Sequence, residues 1–168
     1  MYTGGIAGYN RGSITACSSA VTITGADGTV GGIAGSNIGG ITACYNTGDV
    51  SGTNYAGGIA GYMSEGSAAA CCYNTGQVSG SVAGGIAGFF DGYTATLSQC
   101  FWKSGGAIYG EVSLGITGGG VFGEGSWPAS VGAWAAPAGA DGSTNQYWKS
   151  LGGWNGGAPE YPKLWWEE

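Results

Sequence analysis

Gly4-Gly5-Ile6-Ala7-Gly8 returns as Gly31 to Gly35, Gly57 to Gly61 and Gly84 to Gly88, spelling GGIAG each time, and this word decides the fold. Its starts fall 27, 26 and 27 residues apart. A fixed period of that length marks a repeat architecture in which each copy is one supersecondary unit stacked on the last. A second marker keeps the same time: Cys17, Cys44, Cys72 and Cys100 stand 27, 28 and 28 apart. Two of them open the same phrase, Cys44-Tyr45-Asn46-Thr47-Gly48 and Cys72-Tyr73-Asn74-Thr75-Gly76, which drifts to Cys100-Phe101-Trp102 in the fourth copy.

Between the markers each repeat offers three short apolar stations: the GGIAG, the segment ending in Cys, and Ile23, Val50 or Val78. Gly, Asn and Asp separate them, the residues that let a chain turn. Apolar residues do not recur at helical spacing, and interior Gly costs a helix about 1 kcal/mol relative to Ala. The pattern predicts an all-β parallel β-solenoid, with coils about 4.8 Å apart. Propellers and sandwiches also use short strands, but a blade needs about 40 residues. Ile6, Ile33, Ile59 and Ile86 are expected to stack as one internal column, and Ile14, Ile41, Ala69 and Leu97 as a second. Each large aliphatic so buried contributes about 1.5 to 3 kcal/mol.

Composition narrows the function. The 168 residues include 39 Gly without a collagen period, only 8% charged residues, and a net charge of -6. Four basic residues, Arg11, Lys103, Lys149 and Lys163, cannot neutralise a phosphate backbone, so no nucleic-acid partner is expected and an anionic membrane surface is equally disfavoured. No run of about 20 apolar residues exists to enter a bilayer. Met1-Tyr2-Thr3 reads as the tail of a repeat with an added Met, which predicts further repeats of the same parent chain upstream.

The five cysteines include no CxxC, and the chain has no His. Four occupy one station of successive repeats, so they read as a column of buried, reduced thiols. Neighbouring rungs would lie within disulfide range, but parallel strands point both side chains the same way. Cys71 aligns with Ala16 and Ala43 and is expected to face elsewhere. Asn46 and Asn74 read as corner residues able to bond each other.

Catalysis finds little support. Without His the commonest general base is gone. Asp49 aligns with Gln77 and Thr22, and Asp91 with Ser64, Ile38 and Arg11, so carboxylates do not stack; Glu65, Glu111, Glu124 and Asp141 read as solvated surface. Asp27, Asp49 and Asp141 are single carboxylates, too few for calcium. No cofactor and no metal are expected. Thr15, Thr42, Ala70 and Ser98 form an outward column too irregular for an ice-binding face.

After residue 104 the repeat is lost. Residues 105 to 125 read as an irregular coil or two, followed by a tail rich in Trp and Tyr. Large aromatics laid across the open end would close the solenoid. Alternatively Trp127, Trp134, Trp148, Trp154, Tyr161, Trp165 and Trp166 form an exposed platform for stacking sugars, since contiguous exposed aromatic surface marks binding sites.

The unit from Gly4 to Ile14, repeated from Gly31 as GGIAGSNIGGI, resembles the Glug motif: a GG-aliphatic-x-G followed by Asn, Gly and Ile. The run from Cys100-Phe101-Trp102 through Trp154 to Tyr161-Pro162-Lys163-Leu164-Trp165 is similar to the closing segment of such arrays. The third and fourth copies depart from the motif, with Met63 and Phe90 at the Asn position. The resemblance implies part of a large secreted or wall-attached bacterial protein, adhesin-like, with a host or microbial glycan or protein as partner. Similar repeats accompany immunoglobulin A-specific metallopeptidases, but their HExxH cannot occur in a chain without His. The reading is thus a non-catalytic extracellular stalk or adhesive module, with a carbohydrate-binding module as the alternative and a polysaccharide-degrading enzyme third.

Overall fold

The structure, a computed structural model, describes residues 1–91, 94–103, 106, 116–123, 126–129, 134, 147–155 and 159–168. The first coil contains β1 (Tyr2–Gly4), β2 (Ala7–Asn10), β3 (Ser13–Thr15), β4 (Ser18–Ser19) and β5 (Ile23–Gly25). The second repeats them as β6 (Thr29–Gly31), β7 (Ala34–Asn37), β8 (Gly40–Thr42), β9 (Tyr45–Asn46) and β10 (Val50–Gly52). The third has β11 (Tyr55–Gly57), β12 (Ala60–Met63), β13 (Ala68–Ala70), β14 (Tyr73–Asn74) and β15 (Val78–Ser79). In the fourth, β16 (Val82–Gly84) and β17 (Ala87–Phe90) precede a single long β18 (Thr96–Trp102), on which β19 (Ile116–Val121) lies as the start of a fifth rung.

Every strand of a coil pairs in parallel with its counterpart one repeat away, as in Tyr2↔Thr29, Thr29↔Tyr55 and Tyr55↔Val82. The chain is therefore the parallel β-solenoid that the period predicts. Three stations become five segments, however, because two of the stations are bent. GGIAG holds a tight turn between two strands, and the Cys station breaks at the residue before the Cys.

The glycines of GGIAG each answer a close approach. A Cβ on Gly31 would come within 1.9 Å of the Ala34 carbonyl oxygen, inside the turn. One on Gly32 would meet the Gly58 carbonyl at 2.0 Å and Asn46 Cγ at 2.5 Å. One on Gly35 would meet the Thr3 backbone nitrogen at 2.5 Å. Real side chains are excluded at all three, while Ile33 and Ala34 between them turn into the core.

Two apolar columns fill the interior. One packs Ile33, Ile59 and Ile86 against Ile41, Leu97, Cys44, Cys72 and Cys100. The other packs Ile23 and Val50 against Val30 and Ala56. Ile6 takes its place in register, its amide donating to the Ile33 carbonyl, but it is 47% exposed where Ile33, Ile59 and Ile86 are 0%. It belongs to the first described rung, which pairs with the second on one side. Cys17 is only half-buried for the same reason.

The cysteines are all thiols. Cys44 Sγ donates to the Thr42 carbonyl at 3.3 Å and Cys72 Sγ to the Ala70 carbonyl at 3.2 Å. Burial pushes the Cys72 thiol well up, away from reactive thiolate character.

Asparagines hold two corners. Asn46 Nδ2 donates to Asn74 Oδ1 at 2.9 Å and to the Gly48 carbonyl at 2.6 Å. At the other corner Asn10 Nδ2 donates to Asn37 Oδ1 at 2.7 Å, after which Met63 and Phe90 continue the column as apolar core.

Candidate functional site

The break before each Cys positions the tail. Ala16, Ala43, Cys71 and Gln99 all sit in the left-handed region, with φ of 51, 53, 52 and 53°. Gly118 continues the column at φ 62°. None of the first four is Gly, so each carries a strain of about 1–2 kcal/mol. The bend sends Cys44, Cys72 and Cys100 inward and turns Ala43, Cys71, Tyr73 and Phe101 outward into a separate cluster. Cys71 thus faces away from Cys72.

Onto that outward strip the tail lays its rings. Tyr45 and Tyr73 stack at 4.7 Å, 1° from parallel, and Phe101 stacks on Phe122 at 5.4 Å. Trp148 packs on both tyrosines, Trp134 stacks on Trp148 at 4.5 Å, and Tyr161 stacks on Tyr73 at 6.2 Å. A short antiparallel pair, β20 (Trp148–Ser150) with β21 (Lys163–Leu164), brings Trp148 and Leu164 face to face with the solenoid.

Polar bonds pin the same strip from end to end. Trp134 Nε1 donates to the Gln99 carbonyl at 2.7 Å, and Trp166 Nε1 to the Ala16 carbonyl at 3.2 Å. Tyr73 donates its hydroxyl to the Pro162 carbonyl at 2.8 Å. Tyr45 donates its hydroxyl to the Glu167 carboxylate. Burial, and then the Glu167 partner, push the Tyr45 phenol up to about 12. The tail therefore runs along the flank of the stack, from the fourth coil back to the first. This is the aromatic cluster expected near the C-terminus, seated on the strip of Tyr45, Tyr73 and Phe101 that the second, third and fourth coils present.

The seven aromatic residues nominated from sequence divide accordingly. Trp134 and Trp148 are 0% exposed. Trp127, Trp154, Tyr161 and Trp165 are half-buried, Trp127 donating Nε1 to the Leu151 carbonyl at 2.6 Å. Only Trp166 is exposed. Sequence reasoning missed their seat: Tyr45, Tyr73 and Phe101 looked like phase markers because they accompany Cys.

It also missed a second aromatic strip on another side. Tyr9, Ser36, Tyr62 and Phe89 form one column, and Tyr2, Thr29, Tyr55 and Val82 the adjoining one. Tyr55 stacks on Phe89 at 4.9 Å, Tyr62 on Phe89 at 5.8 Å, and Tyr2 meets Tyr9 at 5.5 Å with Arg11 over the Tyr9 ring. Tyr62 donates its hydroxyl to Asp91 at 2.5 Å. The signal was the residue following GGIAG, which reads Tyr, Ser, Tyr, Phe.

Asp49 accepts the Gln77 amide at 2.9 Å, a bond between rungs. Glu111, Glu124 and Asp141 lie outside the described residues, as do Gly105 and residues 107–115 of the expected irregular coil. Among the described residues no group of three or more His, Cys, Asp or Glu is placed to hold a metal, and no helix is long and apolar enough to cross a membrane. Compared with protein-family models, curated proteins and solved structures, the chain finds no match in any of the three.

Proposed function

We propose that this chain is a non-catalytic structural module of a bacterial cell surface, a stalk or scaffold that presents a face and performs no reaction. The observation that carries the reading is the burial of Trp134 and Trp148 between tail and solenoid. The largest rings of the tail are spent on holding the stack together. An extracellular setting and the Glug-like relationship belong to the same proposal, supported by the GGIAG word and by its spacing along a parallel solenoid. Tryptophan fluorescence with acrylamide quenching, repeated through a titration with host and microbial glycans, tests it. Six of the seven Trp lie in the tail. Shielded emission that no glycan alters supports the scaffold; a saturable shift with one glycan overturns it.

A second reading, a carbohydrate-binding module, is favoured by a specific observation. Tyr2, Tyr9, Tyr55, Tyr62 and Phe89 form a strip of outward rings, flanked by Asp91. Aromatic faces pack on the apolar faces of pyranose rings, and a carboxylate accepts sugar hydroxyls. Under this reading Tyr55→Ala and Tyr62→Ala abolish retention on a glycan array while Trp166→Ala leaves it intact. The opposite result assigns binding to the tail.

A further inference from the structure

We infer that Tyr45 is a one-electron oxidation site, the terminus of a chain of neighbouring rings that begins at Trp154 and Trp127, with Glu167 as the base that takes the phenol proton. The inference stands apart from whether the module is a stalk or a lectin. Its starting point is the continuity of rings beneath the tail. Trp154 lies 6.4 Å from Trp127, Trp127 stacks on Tyr161 at 5.9 Å, Tyr161 on Tyr73 at 6.2 Å, and Tyr73 on Tyr45 at 4.7 Å. These separations run between ring centres, within the range of packed aromatic pairs. Trp154 and Trp127 are half-buried, within reach of a small oxidant in solvent, whereas Tyr73 is buried.

What singles out Tyr45 is its hydrogen-bond partner. Trp127 and Trp134 donate Nε1 to backbone carbonyls, Tyr73 donates its hydroxyl to the Pro162 carbonyl, and the buried Trp148 Nε1 has no partner. A carbonyl is too weak a base to keep a proton, so a ring oxidised at any of these places stays a cation among apolar neighbours, which is costly. Among the bonds described for this cluster, only that of Tyr45 ends on a carboxylate, the Glu167 side chain. Glu167 is fixed in place: the Leu164 amide donates to its other carboxylate oxygen, and Lys149 Nζ donates to its main-chain carbonyl at 2.9 Å.

The step balances within that bond. A one-electron oxidant, such as a small diffusible radical, takes an electron from the Trp127 or Trp154 indole and is itself reduced, leaving an indole radical cation. An electron passed along the chain from Tyr45, by way of Tyr73 and Tyr161, refills the indole. The Tyr45 O–H bond breaks as the electron leaves, and its proton goes to Glu167. The products are a neutral tyrosyl radical, a protonated Glu167 and an intact indole, so no buried cation remains. Tyr62 and Asp91 form the same kind of pair on the other strip, but the rings around Tyr62 are Tyr55 and Phe89, neither of them an indole.

Pulse radiolysis of the full chain with the azide radical, which oxidises indoles in preference to phenols at neutral pH, tests the proposal. The expected result is tryptophanyl absorption that decays as tyrosyl absorption grows, at a rate independent of protein concentration and slower in D2O. Tyr45→Phe, which keeps the ring stack, is expected to lose most of the tyrosyl growth, and Glu167→Gln, which removes the base, to slow it several-fold. Far-UV circular dichroism and Trp emission check that both variants fold. Tryptophanyl decay without matching tyrosyl growth in the wild type overturns the inference. So does growth that Tyr45→Phe leaves intact. A wild-type rate that is the same in D2O, or a Glu167→Gln chain that transfers at the wild-type rate, overturns the part given to Glu167.

Discussion

The repeats and the tail solve the same problem by opposite means. In the repeats a residue finds its partner one rung away: Asn46 meets Asn74 at a separation of 28. In the tail the partners are 89, 122 and 150 residues apart, in the pairs Tyr73–Pro162, Tyr45–Glu167 and Trp166–Ala16. A stack held only by neighbouring rungs behaves as a one-dimensional array whose end rungs open first. The flank contact touches the first, second, third and fourth coils together, so it couples rungs that the ladder alone leaves independent.

The sharpest way to break this comparison is to remove one large buried side chain from each side of it. Trp148→Ala empties a fully buried site in the flank cluster and is expected to cost about 3–5 kcal/mol; Ile59→Ala in the central column is expected to cost about 2–5 kcal/mol. Denaturant unfolding measures both. Amide exchange separates them: Trp148→Ala should loosen β4 and β9, far from residue 148 in sequence, together with β18. If only the β20–β21 pair loses protection and the solenoid midpoint is unchanged, the tail merely decorates the rod.

The next largest effect concerns a corner. Asn46→Ala removes the donor to the Gly48 carbonyl and to Asn74 Oδ1, which keeps only the Gly76 amide, at a cost of about 1–3 kcal/mol. The converse substitution is more telling. Asn46 Oδ1 and Ser19 Oγ are both buried without a hydrogen-bond partner, and Ser19 lies directly below Asn46 in the ladder. In both existing rungs the lower Asn donates Nδ2 to the Oδ1 above. Ser19→Asn should therefore extend the ladder and raise stability by about 0.5–1.5 kcal/mol. A neutral or destabilising result would mean that Asn corners depend on the side chain's own turn and not on stacking.

Much of the ladder could be read from residues alone, because stacked rungs make every contact a matter of period. The Ile33 column, the inward thiols and the Asn46–Asn74 bond all follow from counting 27 or 28 forward. The tail's course could not be read that way. Its contacts have no period, and its seat on Tyr45, Tyr73 and Phe101 is hidden inside the phrase that marks the rung. The bend that turns those rings outward falls on Ala16, Ala43, Cys71 and Gln99, residue types that give no turn signal. The outward strip of Tyr9, Tyr62 and Phe89 was interrupted by Ser36, which masked it as variation.

Alkaline titration sharpens the comparison further, since phenols serve the flank and not the inner columns. Tyr45 is pushed up to about 12 when folded, against an ordinary value of 10.0. A group whose folded value is raised contributes stability that is fully present below the unfolded value and is lost as pH rises through the folded one. The Tyr45 contribution is thus intact below about pH 10 and disappears as pH approaches about 12. Buried Tyr73 is shifted upward as well and adds to the same loss at higher pH. Trp emission should move to the red across that window before β-sheet circular dichroism falls. Tyr45→Phe, which cannot ionise, should flatten the early part of the curve. Simultaneous loss of both signals in wild type would mean that flank and ladder form one cooperative unit.

The smallest expected effect probes the hinge between the two regions. Ala16 and Cys71 share the left-handed corner, at φ 51 and 52°. Glycine relieves strain of about 1–2 kcal/mol there but adds unfolded-state freedom worth roughly 0.5–1 kcal/mol. At half-buried Ala16, where the flank contact is thinnest, Ala16→Gly should stabilise the chain by about 0.5–1 kcal/mol. Cys71 makes the same backbone bend with a side chain only 4% exposed among Tyr73, Trp134 and Trp148. There the lost packing outweighs the relief, and Cys71→Gly should destabilise. Opposite signs at two equivalent positions would show that the strained corner is retained because its side chains hold the tail. Equal gains at both would show that the corner is strained for reasons internal to the ladder.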